Sequence, residues 1–334
     1  LMMAFPAFLA AYFIMTCGLS FLETSSNPYI LSMGPEETAT RRLNFAQSFN
    51  PIGSLLGMLT AKELILAKLD KTPEAARQAL AGTAAFTEMQ KHDLDVIIGP
   101  YIALGLVVLV VLVVFALVRM PKAKEEANRN LDLGGTLKRL WHNKKYVESV
   151  IAQTFYVGVQ IMCWTFIIQY AGDSLGMPKE EAQQYNMIAM GIFVSSRFIC
   201  THLLKYFSPG GLLLTLAATG LALILGVIFL QGMAGLWCLV AVSACMSLMF
   251  PTIYGIALKG LGEDAKLGSA GLIMAIGGGC LMPPLQGAIM DMNAFNLGFM
   301  MLSSVRASFI LPLLCFAVIA VFGFRTSKVH GHTY

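Results

Sequence analysis

Runs of apolar residues, broken by short polar connections, dominate the chain. A bilayer core asks for about 20 predominantly apolar residues per helix, and about nine segments meet that requirement. They fall at 6–33, 46–65, 96–120, 150–170, 185–204, 212–230, 236–258, 267–290 and 299–324. The third is the plainest, reading VIIGPYIALGLVVLVVLVVFALV without a single charge. Gly and Pro recur inside several segments, which membrane helices tolerate when neighbours satisfy the freed backbone groups.

Composition agrees with the pattern. The 334 residues are 57% hydrophobic and 13% charged, whereas soluble domains carry roughly 25% charged residues. Soluble domains are therefore excluded, and so is disorder, which needs low hydrophobicity and high charge. The expected fold class is an all-α, polytopic membrane protein. A net charge of +4 is too small to argue for nucleic acid, so none is expected as a partner; the bilayer is. Cys17, Cys163, Cys200, Cys238, Cys245, Cys280 and Cys315 lie in apolar stretches with no CxxC pair, which reads as small packing residues and not as a metal site.

The connections set the orientation. Arg41 and Arg42, the basic residues between Arg119 and Lys145, Lys205, Lys259, Lys266, Arg325 and Lys328 alternate onto one side. By the positive-inside rule that side, with the C-terminus, is cytoplasmic. The chain opens on Leu1 close to a span, and the span count is odd, so it reads as the later part of a longer protein with about three spans before it. The longest basic connection precedes the last six spans, where a two-bundle transporter joins its halves. The expected organisation is 1–120 as the remainder of an N-terminal bundle (helices 4–6), 121–145 as the cytoplasmic connection, and 146–334 as a six-helix bundle with its tail.

Polar residues at depth carry the chemistry. Glu23 has no charged neighbour for about ten residues on either side; an acid at mid-membrane costs on the order of 2.5–3.5 kcal/mol on insertion scales. Taking a carboxyl out of water favours its neutral form, so a Glu whose surroundings open and close is a proton carrier. Asn27 shares its face at i+4. Pro28 deprives the Thr24 carbonyl of its helical donor, and Pro51 does the same to Gln47, which stands three residues before Asn50. Amides and hydroxyls beside two kinks suit sugar hydroxyls, which both give and take hydrogen bonds; helix–helix bonding is the alternative for any one amide.

Gln153, Tyr156, Gln160 and Trp164 fall on one helical stripe, either a sugar-facing wall or a bundle interface with Trp164 at the bilayer border. Arg197 either snorkels or closes a gate on carbonyls or a carboxylate. Phe250, Pro251 and Tyr254, and the Gly277–Gly279 run with Pro283 and Pro284, mark further broken helices of the kind that line transport sites. No GxxxxGK[ST] loop, nucleophile elbow or HExxH is present, so neither ATP-driven transport nor enzymatic activity is expected, and no cofactor or metal.

FLETSSNPY at 21–29, RRLNFAQSFNPIG at 41–53, AQTFYVGVQIMCW at 152–164, SRF at 196–198, FPTIYGIALKGLGEDAKLGS at 250–269 and GGGCLMPPLQG at 277–287 together resemble the fucose–proton symporter family of the major facilitator superfamily, which includes glucose/galactose permeases. The resemblance implies a two-bundle, twelve-helix transporter of the bacterial inner membrane, about nine of whose helices are here. It would act as a monomer, moving a hexose or deoxyhexose inward with a proton. It places Glu23 on the family's fourth-helix acid, Gln47 and Asn50 on fifth-helix cavity positions, and Arg197 on the eighth-helix arginine. The family pairs that acid with a first-helix Asp outside this sequence, so the chain as written is not expected to transport by itself. Phe250 stands where fucose-type members have Tyr, which leaves the sugar open. The rival readings are a carrier of a non-sugar solute, and a membrane sensor or enzyme on the same scaffold.

Overall fold

The computed structural model describes residues 5–66, 68–69, 80, 82–119, 133–292, 295–296 and 301–328. The connection at 120–132 and the tail carrying His330 and His332 lie outside the described residues, as do parts of 67–81. Two compact units form, one of Leu1–Phe49 with Lys124–Tyr334 and one of Asn50–Ala123.

The smaller unit holds most of α3 (Phe49–Thr60), which runs into a π-helical turn at Ala61–Leu66, and α4 (Ala84–Leu117). The Thr83 hydroxyl caps α4 by accepting the Phe86 amide at 3.3 Å. The helix starts three turns ahead of the apolar run expected at 96. Nothing between Ala84 and Asp95 breaks a helix, so the polar turns extend it beyond hydrocarbon depth. Its 34 residues reach about 50 Å at 1.5 Å per residue.

In the larger unit α1 (Phe5–Ser32) passes through Pro28, and α2 (Ala39–Gln47) follows a short 3-10 turn. After α5 (Leu133–His142) come α6 (Lys144–Thr165), α7 (Ile167–Leu175), α8 (Lys179–Leu203), α9 (Pro209–Phe229), α10 (Met233–Met246), α11 (Met249–Leu258), α12 (Ala265–Met274), α13 (Gly278–Met290), α14 (Ser304–Ser308) and α15 (Ile310–Lys328). A two-residue antiparallel pair, Phe295–Asn296 with Met301–Leu302, precedes α14.

Helix therefore occupies each expected segment, but only six stretches among the described residues are long and apolar enough to cross a membrane. A seventh qualifies if α6 and α7, bent by 46°, form one span. The stretch from Ala39 fails because Arg41, Arg42, Asn44, Gln47 and Asn50 interrupt it. The α8 stretch falls short because Asn186, Arg197 and His202 interrupt even its more apolar last 18 residues.

Local chemistry sets the ends. Asn143 accepts the Tyr146 amide at 3.1 Å to start α6, Ser208 with Pro209 starts α9, and Gly176 ends α7 in the left-handed region at φ +61°. The core lies among α6–α11 and α15, around Tyr156, Met162, Ile224, Leu239 and Phe316. Small residues permit two close crossings. A side chain at Gly323 would press on the Leu214 backbone, and one at Gly278 would overlap the Thr154 carbonyl oxygen. Tyr170 closes the α9 end by donating to the Val227 carbonyl at 2.9 Å. Four of the seven cysteines are buried and all are free.

Candidate functional site

The site forms where α1 and α2 meet α8, α10, α11 and α12. Glu23 is half-buried on α1, one turn before Asn27, within electrostatic reach of the Tyr254 hydroxyl on α11. Asn27 is 2% exposed; its Oδ1 accepts from Gln47 Nε2 at 2.9 Å, and its Nδ2 has no hydrogen-bond partner among the described residues. The two amides placed beside the two prolines by sequence thus bond to each other. Tyr254 is fully buried; Ser269 and Asn27 lie close to its hydroxyl, although no contact there meets full hydrogen-bond geometry among the described residues, and the Phe250 ring stacks on it at 6.2 Å.

Three carbonyls that lose their helical donor to a proline are supplied from other helices. The Thr24 carbonyl, four residues before Pro28, accepts the Ser269 hydroxyl at 3.3 Å. The Gln47 carbonyl, four before Pro51, accepts Arg197 Nη1 at 2.9 Å. The Ser247 carbonyl, four before Pro251, accepts Arg197 Nε at 2.6 Å. The guanidinium is 5% exposed and lies 4.7 Å over the Phe193 ring. Among the described residues no carboxylate pairs with it; carbonyl dipoles and an aromatic face offset its charge instead.

The α6 stripe divides. Gln153 is fully buried, and neither amide atom has a hydrogen-bond partner among the described residues. Tyr156 is also buried, donating to the Met246 carbonyl at 3.0 Å at the α10–α11 break and tilting its ring toward Phe250. Gln160 is half-buried. Trp164 donates to Ser243 Oγ at 3.2 Å and sets its ring edge against Phe193 at 5.0 Å. Asn50 is exposed and opens the smaller unit, where its carbonyl accepts the Ser54 hydroxyl at 3.4 Å.

Sequence reasoning missed Asn44, whose Nδ2 reaches Thr252 Oγ1 at 3.2 Å while its Oδ1 has no partner among the described residues. Its place three residues before Gln47 was the available signal. Ser269 and Phe193 had no local signal. Nearby, Glu36 stands within electrostatic range of Lys145 and Lys259, and Glu37 of Lys259. Burial pulls the Lys259 ammonium below the usual lysine value, and the two acids oppose that shift.

A buried set of amides and hydroxyls with unpaired atoms, next to one carboxyl and one arginine, can bind a neutral polyhydroxylated molecule and carry a proton. The profile of the Major Facilitator Superfamily matches residues 1–278. The chain is 53% identical to the L-fucose-proton symporter of Haemophilus influenzae, over 97% of this chain and 76% of that one. It is 28% identical to the glucose/galactose transporter of Brucella abortus, over 97% and 72%. Among solved structures, the transporter FucP in its outward conformation superposes with a TM-score of 0.88 at 31% identity, covering 98% of this chain and 77% of that one. A bacterial homologue of ferroportin, with a TM-score of 0.61 at 12% identity over 94% and 70%, shares the fold. The chain belongs to the Major Facilitator Superfamily, and within it to the family of the L-fucose–proton symporters.

Proposed function

We propose that this protein is a proton-coupled sugar symporter that takes up a hexose or deoxyhexose by alternating access across the bacterial inner membrane, as a monomer with a cytoplasmic C-terminus. The observation that carries the reading is the convergence of Glu23, Asn27, Gln47 and Tyr254, a carboxyl among neutral hydrogen-bonders. Relatives named for fucose–proton symport and glucose/galactose transport support it.

In this mechanism residues 1–120 and 146–334 belong to opposite bundles joined by 121–145. Glu23 takes a proton from the outside. Neutral, it can be sealed in a dry site, which a charged carboxylate resists. Asn27, Gln47, Asn50, Gln153, Tyr156, Gln160, Trp164, Phe250 and Tyr254 supply the sugar's hydrogen-bonding and ring contacts. Arg197 is the gate residue, closing the cytoplasmic end by tying the Gln47 carbonyl to the Ser247 carbonyl. Bonds between residues 24–47 and residues 197–269 accumulate at that end, as an outward-open state requires.

A non-sugar anion is disfavoured because both buried arginines among the described residues are spent on carbonyls, Arg197 on those of Gln47 and Ser247 and Arg306 on those of Ile228 and Leu230. The test is to add L-fucose, D-galactose or an organic acid to vesicles holding the full-length protein and follow external pH. Alkalinisation with one of the sugars is expected. A response to the acid alone, or to none of the three, rejects the reading.

A further inference from the structure

We propose that a cavity of about 570 Å³ between α2 and α8, at the cytoplasmic end, binds an anionic phospholipid of the inner leaflet. Thr38, Arg41, Arg42, Phe45, Phe198, Thr201 and His202 line it, with no acid among these described residues. Arg42 is committed: its guanidinium donates to the carbonyls of Ile30, Leu31 and Pro35 and to the Thr38 hydroxyl, closing the end of α1. Its charge nevertheless stays at the rim, fixed in place. Arg41 is exposed and makes no hydrogen bond or ion pair among the described residues, and His202 is exposed with its ring edge toward Tyr206. The rim is therefore cationic and has donors to spare.

Below the rim the surface changes character. Phe45 meets Phe49 edge to face at 5.6 Å, and Phe49 meets Phe198 at 6.2 Å. Phe45 and Phe49 are each 55% exposed. Phe49 lies eight residues beyond Arg41, about 12 Å further along the helical path at 1.5 Å per residue. Cations at headgroup level above an aromatic seam at hydrocarbon depth match a phosphodiester with its acyl chains. A soluble phosphate ester would use only the upper half. Basic side chains at the cytoplasmic surface meet a leaflet rich in anionic lipid.

The two walls belong to the elements that Arg197 joins. Phe198 follows Arg197 directly, and the Thr201 hydroxyl donates to the Arg197 carbonyl at 2.7 Å. A lipid seated against both walls favours the arrangement in which Arg197 holds Gln47; this consequence, unlike the binding itself, rests on the gate reading above.

The test is native mass spectrometry of the purified protein titrated with phosphatidylglycerol, or with glycerol 3-phosphate as the headgroup without chains. The protein should retain one phosphatidylglycerol that the double variant Arg41→Gln/His202→Gln binds at least about fivefold more weakly, the scale for removing one arginine charge from an anionic surface. Phe45→Ala should also weaken retention, and hydrogen exchange over 38–49 and 197–203 should slow with the lipid in the wild type only. Equal retention by wild type and double variant overturns the proposal, and so does equal protection by glycerol 3-phosphate. Lipid retention is read without sugar or proton movement, so its failure and that of the symport reading are distinguishable.

Discussion

Arg197 illustrates how much one side chain carries here. A buried guanidinium without a carboxylate is costly, yet Nε and Nη1 meet two carbonyls that prolines have left without donors, and the plane rests on Phe193. Lysine cannot reproduce that fork. Arg197→Lys is expected to weaken closure, and Arg197→Met to leave two buried acceptors unpaired at about 1–3 kcal/mol each. Both should lower the unfolding midpoint in detergent, Met further than Lys; an unchanged midpoint in both would contradict this account of the bonds. The Asn27–Gln47 bond makes a second prediction. If the pair presents one surface to sugar, Asn27→Ala and Gln47→Ala should each weaken sugar binding, and the double variant should lose less than the sum of the two. Strict additivity in titration calorimetry would place the amides in separate roles.

At the scale of elements, the prolines were legible and their partners were not. Loss of an amide hydrogen at Pro28 and Pro51 is a local fact, so the freed carbonyls of Thr24 and Gln47 could be named from sequence. That Ser269 and Arg197 answer them depends on how distant helices pack, which no local pattern encodes. The same limit hid Asn44 and Thr252, which are 208 residues apart. Hydropathy located the helices but put the start of α4 too late, because exposed polar turns continue a helix wherever nothing stops it. Close crossings were equally invisible: Gly277 and Gly278 are adjacent, but only Gly278 sits on the Thr154 carbonyl, while Gly277 has open space. Gly278→Ala should destabilise by about 1–3 kcal/mol, as overpacking does, with Gly277→Ala close to neutral. Thermal melts that rank them the other way would refute the crossing.

For the whole molecule, α1 and α2 meet the C-terminal helices at the end bearing Arg41, Arg42 and Lys259. A Cβ built on Gly255 would stand 3.2 Å from Thr40 Cβ, close to the roughly 3.5–4.5 Å separation of a disulfide. With the native cysteines replaced, Thr40→Cys/Gly255→Cys should cross-link readily, and sugar at acidic pH should lower the yield as the end opens. A yield indifferent to both would mean that this contact is not part of the gate. The most direct measurement concerns the carboxyl itself. In proteoliposomes of the full-length protein, Glu23→Gln should abolish sugar accumulation driven by a proton gradient while sparing exchange of labelled for unlabelled sugar; undiminished uphill uptake by that variant would contradict Glu23 as the proton carrier.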